Sequence, residues 1–259
     1  MKVAIVGGGF AGLLTACLLE KKKIDYLLFE EKRIWGKSFS YPALILKRDY
    51  QKLPKHIKKL LPIPSSFASN AQVFWHGNIG QGLENKLISY LPGKKVKLFS
   101  SVDIYSLKNK FDFIINATGN PLNTRKVGLW QDWGTMHFRA GYYTTLMNPP
   151  EKFFKKIPGN HPGFVLNMPI DRQSGVLMMG IQGITFRTLP FYWDFVLVKD
   201  SFNVHFVEIN DWMQNFGLAK PFNFQNIFFV GLSGISSSQW YRNDYLAILS
   251  VLKALDFLL

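Results

Sequence analysis

The fold of this chain is decided by residues 2–30, KVAIVGGGFAGLLTACLLEKKKIDYLLFE. The first five residues form a short apolar run with β-branched side chains, which is typical of a strand buried on both faces. Three glycines follow, and then an apolar stretch that ends in lysines 21–23, the cations that suit a helix C-terminus. Residues 25–30 predict a second buried strand that ends in an acid. The stretch therefore predicts a strand, a helix and a second strand in a βαβ unit.

The glycines of this stretch fit the pattern G-x-G-x-x-G at Gly7, Gly9 and Gly12. The first glycine allows a tight turn, the second lets the backbone approach a pyrophosphate, and the third lets the helix pack closely on the strand. The helix N-terminus then holds the anion. Glu30 lies 18 residues beyond Gly12, close to the roughly 20-residue spacing at which an acid receives ribose hydroxyls. An NADP 2′-phosphate would be repelled there. The turn residues predicted to contact an adenine dinucleotide are Gly7, Gly8, Gly9, Phe10, Ala11 and Gly12.

Composition excludes several other classes of protein. The chain has 259 residues, of which 47% are hydrophobic and 19% are charged, and this excludes a disordered protein. A single cysteine, Cys17, excludes an intramolecular disulfide, a Cys-x-x-Cys redox pair and a cysteine-rich metal site. The histidines lack metal-ligand spacing, so no metal is expected. Because no run reaches the roughly 18 apolar residues of a membrane span and no signal peptide is apparent, we expect a cytoplasmic protein.

The glycine pattern is shared by FAD- and NAD-binding proteins, and two further segments of the sequence indicate which dinucleotide is bound. Residues 111–119, FDFIINATG, predict a buried strand that runs into Ala117-Thr118-Gly119. Residues 226–234, NIFFVGLSG, predict a last buried strand, which is followed by a mostly apolar helix through Leu258. No second G-x-G-x-x-G is present, so a separate NAD(P)H domain is not expected.

With these segments the sequence resembles the FAD-binding domain of the glutathione-reductase-like flavoprotein superfamily, nearest its aromatic-hydroxylase and geranylgeranyl-reductase branch. The resemblance covers residues 1–38, 111–120 and 222–259 and implies FAD as the cofactor. Beyond the glycine turn, the residues it implies for cofactor binding are Glu30, Glu31, Lys32, Arg33, Lys37, Ser38, Ala117, Thr118, Gly119, Gly231, Leu232 and Ser233. For Arg33, a solvated charge is an equally good interpretation.

The chain departs from this family at one position. After the C-terminal strand the family usually has Gly-Asp, whose carboxylate accepts hydrogen bonds from the ribityl hydroxyls, but here the pair is Gly231-Leu232. Leucine cannot accept these bonds. We expect Ser233, or backbone amides at the start of the last helix, to replace the acid.

The segments between these motifs predict two kinds of structure. Residues 48–74 indicate a short basic helix closed by prolines, and residues 81–91 indicate another helix. From Arg125 to Phe222, runs at 137–147, 163–170, 174–183, 184–193 and 201–209 indicate antiparallel strands. The predicted fold is therefore α/β: a Rossmann-like FAD/NAD(P)-binding domain with a parallel sheet at 1–120 and 222–259, and an inserted, mainly antiparallel substrate domain at 121–221.

The function that follows is a small FAD-dependent oxidoreductase, which exchanges a hydride between flavin N5 and an apolar or aromatic substrate as a reductase, dehydrogenase or monooxygenase. No catalytic acid or base is assigned. Electrons would come from transient NAD(P)H or from an electron-donor protein. The inserted domain is dense in residues that form either a packed core or an apolar substrate lining: Tyr142, Tyr143, Met178, Met179, Phe186, Phe191, Tyr192 and Trp193.

The net charge of +14 keeps further interpretations open. The alternatives to an enzyme are a nucleic-acid-associated flavoprotein and a non-catalytic flavin- or dinucleotide-binding protein. The lysines lie in several segments, among them 21–23, 52–59, 94–97 and 152–156. No RNA-binding motif accompanies them. Solvated charge or peripheral contact with an anionic membrane is therefore favoured over RNA.

Overall fold

The structure is a computed structural model that describes residues 1–33, 40–67, 71–77, 82–146, 150–199, 203–237, 239 and 242–258. The chain divides into two compact units. The first unit consists of Met1–Asp132 and Gly217–Leu259, and the second consists of Trp133–Phe216.

The strands in chain order are β1 Lys2–Val6, β2 Asp25–Phe29, β3 Tyr41–Leu46, β4 Ser65–Phe67, β5 Ala71–His76, β6 Val96–Lys97, β7 Phe113–Asn116, β8 Trp130–Thr144, β9 Phe153–Ile157, β10 Gly163–Pro169, β11 Ser174–Gln182, β12 His205–Ala219, β13 Asn223–Phe224, β14 Ile227–Phe229 and β15 Ile235–Ser236. The α-helices are α1 Phe10–Lys21, α2 Lys47–Lys52, α3 Lys55–Lys58, α4 Leu83–Ile88, α5 Leu122–Lys126, α6 Leu189–Lys199 and α7 Asn243–Leu258. Short 3-10 turns lie at Gly93–Lys95, Ile104–Leu107 and Gly231–Ser233. Within the described residues, no helix combines the length and the apolar character needed to cross a membrane.

The first unit contains a six-stranded sheet in the order β13-β14-β7-β1-β2-β6. Strands β14, β7, β1, β2 and β6 run parallel to one another, and only β13 is antiparallel to its neighbour. Residues 3–6 of β1 are buried because the strand lies in the middle of the sheet and is covered on both faces. Helix α1 is buried from Phe10 to Leu19 and packs on β1, β2, α4 and α7. The predicted strand–helix–strand unit is confirmed.

A second six-stranded sheet has the order β15-β12-β8-β11-β10-β9, and a small sheet has the order β3-β5-β4. In the second sheet, β11 pairs antiparallel with β8 and β10, and β10 pairs antiparallel with β9. Strands β9, β10 and β11, with most of β8 and β12, belong to the second unit. A parallel sheet of Rossmann type and a separate antiparallel sheet confirm the predicted fold class.

The strand predicted at residues 184–193 is wrong. The chain forms a loop and then helix α6, which begins at Leu189. Leu189, Trp193 and Val196 are buried in the core of the second unit, and their spacing of four and three residues is that of one helix face. The dense aromatic residues disguised this period, and Pro190 suits the first turn of a helix.

The segment between β2 and β6 is also more broken than the sequence indicated. Instead of one basic helix, α2 and α3 are separated at Leu53-Pro54, because proline cannot continue the first helix. Three strands surround them in chain order and form the small sheet. The helix expected at 81–91 is α4, which covers only Leu83–Ile88.

Candidate functional site

The parallel sheet places four predicted site segments next to one another. Val6 is the register partner of Phe29 on one side and of Asn116 on the other, and Asn116 is in turn the partner of Phe229. The glycine turn, Glu30, Ala117 and the Gly231 turn follow this row at the carboxyl ends of the strands. β1 connects to β2 on one side while β7 lies on its other side, so the turn lies where the strand order reverses. In open α/β sheets, ligands bind in the crevice at this position.

The turn after β1 requires glycine at its first position. Gly7 has φ +107°, and a Cβ atom there would overlap the Ala117 carbonyl oxygen. Gly12 is just as tightly placed, because a Cβ atom would overlap the Gly7 carbonyl oxygen. Helix α1 therefore packs directly on the turn, as the sequence predicted.

Gly9 differs from its neighbours because it faces open space. Apart from its neighbours in the chain, no heavy atom of the described residues lies within 4 Å of the position of its absent Cβ. Gly9 is also the N-cap of α1, where no side chain of the described residues caps the helix, and the first turn contains no acid. The first backbone N–H groups of a helix lack intrahelical acceptors and carry the positive end of the helix dipole. This is a cradle for an anion that approaches the backbone.

Glu30 directly follows β2 beside the glycine turn and is only 7% exposed. Its Oε2 accepts a hydrogen bond of 2.5 Å from the Gly8 N–H, and its Oε1 accepts one of 2.9 Å from the Lys32 N–H. A carboxylate has about four lone-pair sites, so these two bonds leave capacity for ribose hydroxyls. The sequence predicted Glu30 as a ligand residue, and the structure adds that it also fixes the turn.

The basic and acidic residues after Glu30 are exposed. Glu31, Lys32 and Arg33 all lie at the surface. The Arg33 guanidinium lies 4.9 Å from the centre of the Phe99 ring, which is a cation–π contact. The predicted residues Lys37 and Ser38, together with Trp35, lie outside the described residues.

The end of β7 contributes a residue that the sequence analysis missed. Ala117 packs against Gly7, whereas Thr118 and Gly119 are exposed. Asn116 is fully buried, its Oδ1 accepts a hydrogen bond of 2.8 Å from the Thr118 hydroxyl, and its Nδ2 has no partner among the described residues. The signal was present in the sequence as the single polar residue of the otherwise apolar run FIIN at residues 113–116.

The C-terminal turn lies against the glycine turn. A Cβ atom at Gly231 would come 2.7 Å from the Ala11 Cβ, which places this turn beside the first turn of α1. Its residues form a 3-10 turn, and helix α7 begins only at Asn243, so the last helix does not follow the strand directly. Leu232 is half-buried.

The expectation that Ser233 replaces the missing acid is corrected. Ser233 is fully buried, and its hydroxyl lies 2.6 Å from the Asn116 carbonyl oxygen and 2.7 Å from the Val230 carbonyl oxygen. The hydroxyl therefore joins the ends of β7 and β14 and cannot reach a ligand. The backbone of the 3-10 turn is what remains for that role.

A buried ionic cluster lies beside the start of α1. The His76 Nδ1 lies 2.7 Å from Glu84 Oε1 and its Nε2 lies 2.9 Å from Asp244 Oδ1, so both ring nitrogens donate to carboxylates. Burial alone would lower the pKa of His76, but the two acids outweigh it and raise this pKa to about 10. The ring stacks on Tyr41 and contacts the edge of Phe10. The charged imidazolium thus joins β5, α4 and α7 next to the cradle.

Two other residues that could carry chemistry, Cys17 and His137, are buried among packed side chains. Burial raises the pKa of the Cys17 thiol to about 12, and its Sγ lies 3.2 Å from the Leu87 carbonyl oxygen. Burial lowers the pKa of His137, which packs edge-on against Phe186. Cys17 is therefore a buried thiol rather than a nucleophile. Among the described residues, no group of three histidines, cysteines or acids is arranged to hold a metal ion.

In the second unit, half of the eight singled-out aromatic and methionine residues pack in the interior. Tyr143, Met178, Met179 and Trp193 are buried, whereas Phe186 and Phe191 are exposed. An open depression of about 1190 Å³ in this unit is lined by polar groups such as Asp171 and Arg172 together with apolar ones such as Tyr142 and Leu146. Tyr142 is among the residues that the sequence singled out as either a packed core or an apolar substrate lining.

Comparison with known proteins agrees with this geometry. Residues 5–55 match the family model described as an NAD(P)-binding Rossmann-like domain, a range that contains the glycine turn, α1 and Glu30. No curated protein has a significantly similar sequence.

Solved structures share the fold of nearly the whole chain. A geranylgeranyl bacteriochlorophyll reductase-like protein from Thermoplasma acidophilum has a TM-score of 0.71 at 14% identity, over 98% of this chain and 77% of that chain. A flavin-dependent halogenase from Xanthomonas campestris has a TM-score of 0.64 at 11% identity, over 98% of this chain and 70% of that chain. Aklavinone-11 hydroxylase, in a ternary complex with FAD and aklavinone, has a TM-score of 0.63 at 13% identity, over 99% of this chain and 61% of that chain. This chain is therefore similar in fold to flavin-dependent halogenases and hydroxylases and to a geranylgeranyl reductase-like protein. The hydroxylases and the reductase-like protein agree with the resemblance found in the sequence, and the halogenases add to it.

Proposed function

We propose that this chain is an FAD-dependent oxidoreductase that binds FAD at the glycine turn and exchanges a hydride with an apolar or aromatic substrate. The observation that carries the proposal is the uncapped N-terminus of α1 at the switch point of the sheet, with open space at Gly9 and the Glu30 carboxylate alongside. FAD, rather than a nicotinamide dinucleotide, is supported by the fold, because solved proteins of this fold include flavin-dependent halogenases and a hydroxylase in complex with FAD.

The described residues fit the parts of FAD by their chemistry. The N–H groups from Gly9 to Ala11 suit the pyrophosphate, because they are uncapped and lie at the positive end of the helix dipole. Glu30 suits the ribose hydroxyls. The residues after β7 and the Gly231 turn border the same cradle and suit the remainder of the cofactor. FAD would supply the hydride chemistry itself, and the chain supplies binding, orientation and electrostatics.

Several of the described residues hold the cradle in shape. Glu30 fixes the turn through the Gly8 N–H, Ser233 joins the ends of β7 and β14, and the His76 cluster lies against Phe10. The raised pKa of Cys17 leaves it as a thiol at neutral pH, so electron transfer here does not use a protein thiolate. The reductant is NAD(P)H or an electron-donor protein.

The test is FAD binding by the purified chain and by two matched variants. In Gly9→Glu a carboxylate enters the space proposed for the pyrophosphate, and repulsion together with steric overlap should weaken FAD binding at least about 100-fold. Gly93→Glu adds the same carboxylate at an exposed glycine that also has no heavy atom around its Cβ position, and it should bind FAD like the parent. Fluorescence titration measures both affinities.

Two results would overturn the proposal. One is a Gly9→Glu variant that keeps stoichiometric FAD, and the other is a parent chain that binds NAD but not FAD. Turnover is tested separately by adding NADH and NADPH anaerobically to the FAD-loaded chain, where loss of the oxidised flavin absorbance reports electron transfer.

A second candidate function is a flavin-binding protein without turnover. It is favoured by Leu232, a half-buried apolar residue at the position where the resembled family has an acid, and by the burial of Ser233, which cannot replace that acid. A chain whose bound FAD is reduced by dithionite, but by neither nicotinamide nor any electron-donor protein tested, would favour this candidate over the enzyme.

A further inference from the structure

The positive charge of this chain is concentrated in one of its two units. The first unit has 24 Lys and Arg against 11 Asp and Glu, which gives a net charge of +13, whereas the second has 7 against 6, or +1. A charge that served only to keep the chain dissolved would not need this asymmetry. The surface that carries this charge therefore lies on the first unit.

The segment from Lys47 to Lys59 has a large excess of cations over acids. It contains six Lys and Arg and one acid, Asp49, which is only 5% exposed. Its apolar residues Leu53 and Ile57 are buried in the core of the unit. Because the acid and the apolar residues point inward, the outward side presents cations, and we call it the basic face: Lys47, Arg48, Lys52, Lys55, Lys58 and Lys59.

The other lysine clusters of the first unit are partly neutralised. The Lys95 ammonium lies 2.7 Å from a carboxylate oxygen of Glu20. Glu20 directly precedes lysines 21–23 in the chain, and the exposed Asp25 follows them. On the basic face, Arg48 lies 3.9 Å from the buried carboxylate of Asp49, whereas Lys58 bonds a backbone carbonyl oxygen, that of Gln51, rather than an acid.

An apolar side chain protrudes next to the basic face. Ile63 is 95% exposed and stands between Pro62 and Pro64, four residues after Lys59. Leu60 and Leu61 are buried, so the chain is anchored immediately before it. Tyr90 borders the same surface, where its hydroxyl donates to the Lys59 carbonyl oxygen at 3.3 Å and its ring is 40% exposed. Cations around a fixed, exposed isoleucine and a tyrosine are the groups that bind an anionic lipid surface.

We propose that the basic face docks this protein on anionic lipid membranes, with its cations against the headgroups and Ile63 inserted at the boundary with the acyl chains. Charge complementarity favours an anionic partner. The exposed isoleucine favours a lipid surface over a nucleic acid. Binding of single-stranded RNA relies on aromatic side chains that stack on bases. On this face the exposed aromatic ring of Tyr90 is already covered by the Lys86 ammonium at 5.3 Å. The inference is independent of the proposed function.

The test is co-sedimentation of the full chain with vesicles at about 0.15 M salt, where exposed charges are screened beyond roughly 8 Å. The vesicles are phosphatidylcholine alone, or phosphatidylcholine with about one third phosphatidylserine. The face variant is Lys52→Glu/Lys55→Glu/Lys59→Glu. The matched control, Lys152→Glu/Lys155→Glu/Lys156→Glu, makes the same change of charge in the second unit. Ile63→Ser removes the apolar side chain without changing the charge.

We expect binding to the anionic vesicles only, a loss of at least about tenfold in the face variant, and less than about twofold in the control. The Ile63→Ser variant should bind the anionic vesicles about threefold or more weakly at the same salt concentration, because it removes an apolar contact rather than a charge. This variant also keeps the test valid if the triple glutamate variant fails to fold. Equal losses in the face and control variants, no loss in Ile63→Ser, or tighter binding of transfer RNA than of the anionic vesicles would each overturn the proposal.

Discussion

Replacing His76 by phenylalanine tests whether the buried ionic cluster beside the cradle holds the first unit together. The ring is buried, and its two nitrogens lie 2.7 Å and 2.9 Å from Glu84 and Asp244, which come from different helices. Phenylalanine fills most of the space and keeps the stacking on Tyr41, so the change removes charge and hydrogen bonds more than volume. Glu84, whose side chain is 3% exposed, would then lose its cationic partner.

Two routes give the same order of magnitude for the loss of stability. Breaking a buried ion pair by removing one partner costs about 3–5 kcal/mol, because an uncompensated charge remains. A pKa of about 10 for His76, against 6.5 for the free side chain, corresponds to a stabilisation on the order of 5 kcal/mol at about 1.4 kcal/mol per pH unit. We expect His76→Phe to lower the free energy of unfolding by about 3–5 kcal/mol near neutral pH.

The pH dependence of this loss has a definite sign. The pKa of His76 is raised in the folded state, so its contribution is fully present below pH 6.5 and is lost as pH rises toward 10. Burial would raise the pKa of Glu84, but His76 lowers it, so the contribution of Glu84 is present above 4.5 and is lost at lower pH. In His76→Phe the unpaired Glu84 would have a raised pKa, so low pH would relieve that variant. The difference between parent and variant should therefore be largest near pH 6.5 and shrink on both sides.

Urea unfolding followed by circular dichroism at about pH 5, 6.5 and 9 measures this difference. The double variant His76→Phe/Glu84→Gln removes the unpaired buried charge, and we expect it to recover about half of the lost stability. A difference below about 1 kcal/mol, or one that does not change with pH, would refute the argument that the cluster is a buried ion pair. A double variant no more stable than the single variant would also contradict it.

Three further outcomes follow from residues at or near the cradle. Gly12→Ala places a Cβ atom on the Gly7 carbonyl oxygen, so we expect a loss of about 3 kcal/mol or more in urea unfolding, and an unchanged midpoint would contradict this packing. Glu30→Gln removes the charge that accepts the Gly8 N–H, so FAD affinity should fall about tenfold and stability by about 1–2 kcal/mol; a titration that shows unaltered affinity would remove Glu30 from the ribose site. Since burial raises the pKa of Cys17 to about 12, iodoacetamide near pH 8 should label it only after unfolding, as mass spectrometry can show, and rapid labelling of the folded chain would contradict its burial.

The βαβ unit and its glycine roles could be read from the sequence because they depend on consecutive residues. A buried strand, a turn and an apolar helix each have a local pattern, and the steric reasons for glycine at Gly7 and Gly12 act over a few residues. Glu30 could be identified from the sequence for the same reason, since the length of the βαβ unit brings the end of β2 beside the end of β1. The structure confirms these elements and adds the 2.5 Å bond from the Gly8 N–H to Glu30.

Other features depended on residues far apart in the chain. Ser233 looked available for a ligand until the structure placed it against Asn116, 117 residues away, where its hydroxyl is fully buried. In the sequence, His76 is only one of the histidines that lack metal-ligand spacing, and packing alone brings it to Asp244, 168 residues away. Helix α6 was hidden because aromatic residues suit either a strand or a buried helix face, and burial of Trp193 selects the helix. Local patterns report which surface of an element is apolar, whereas the partner of a buried polar group is fixed only when distant elements pack against each other.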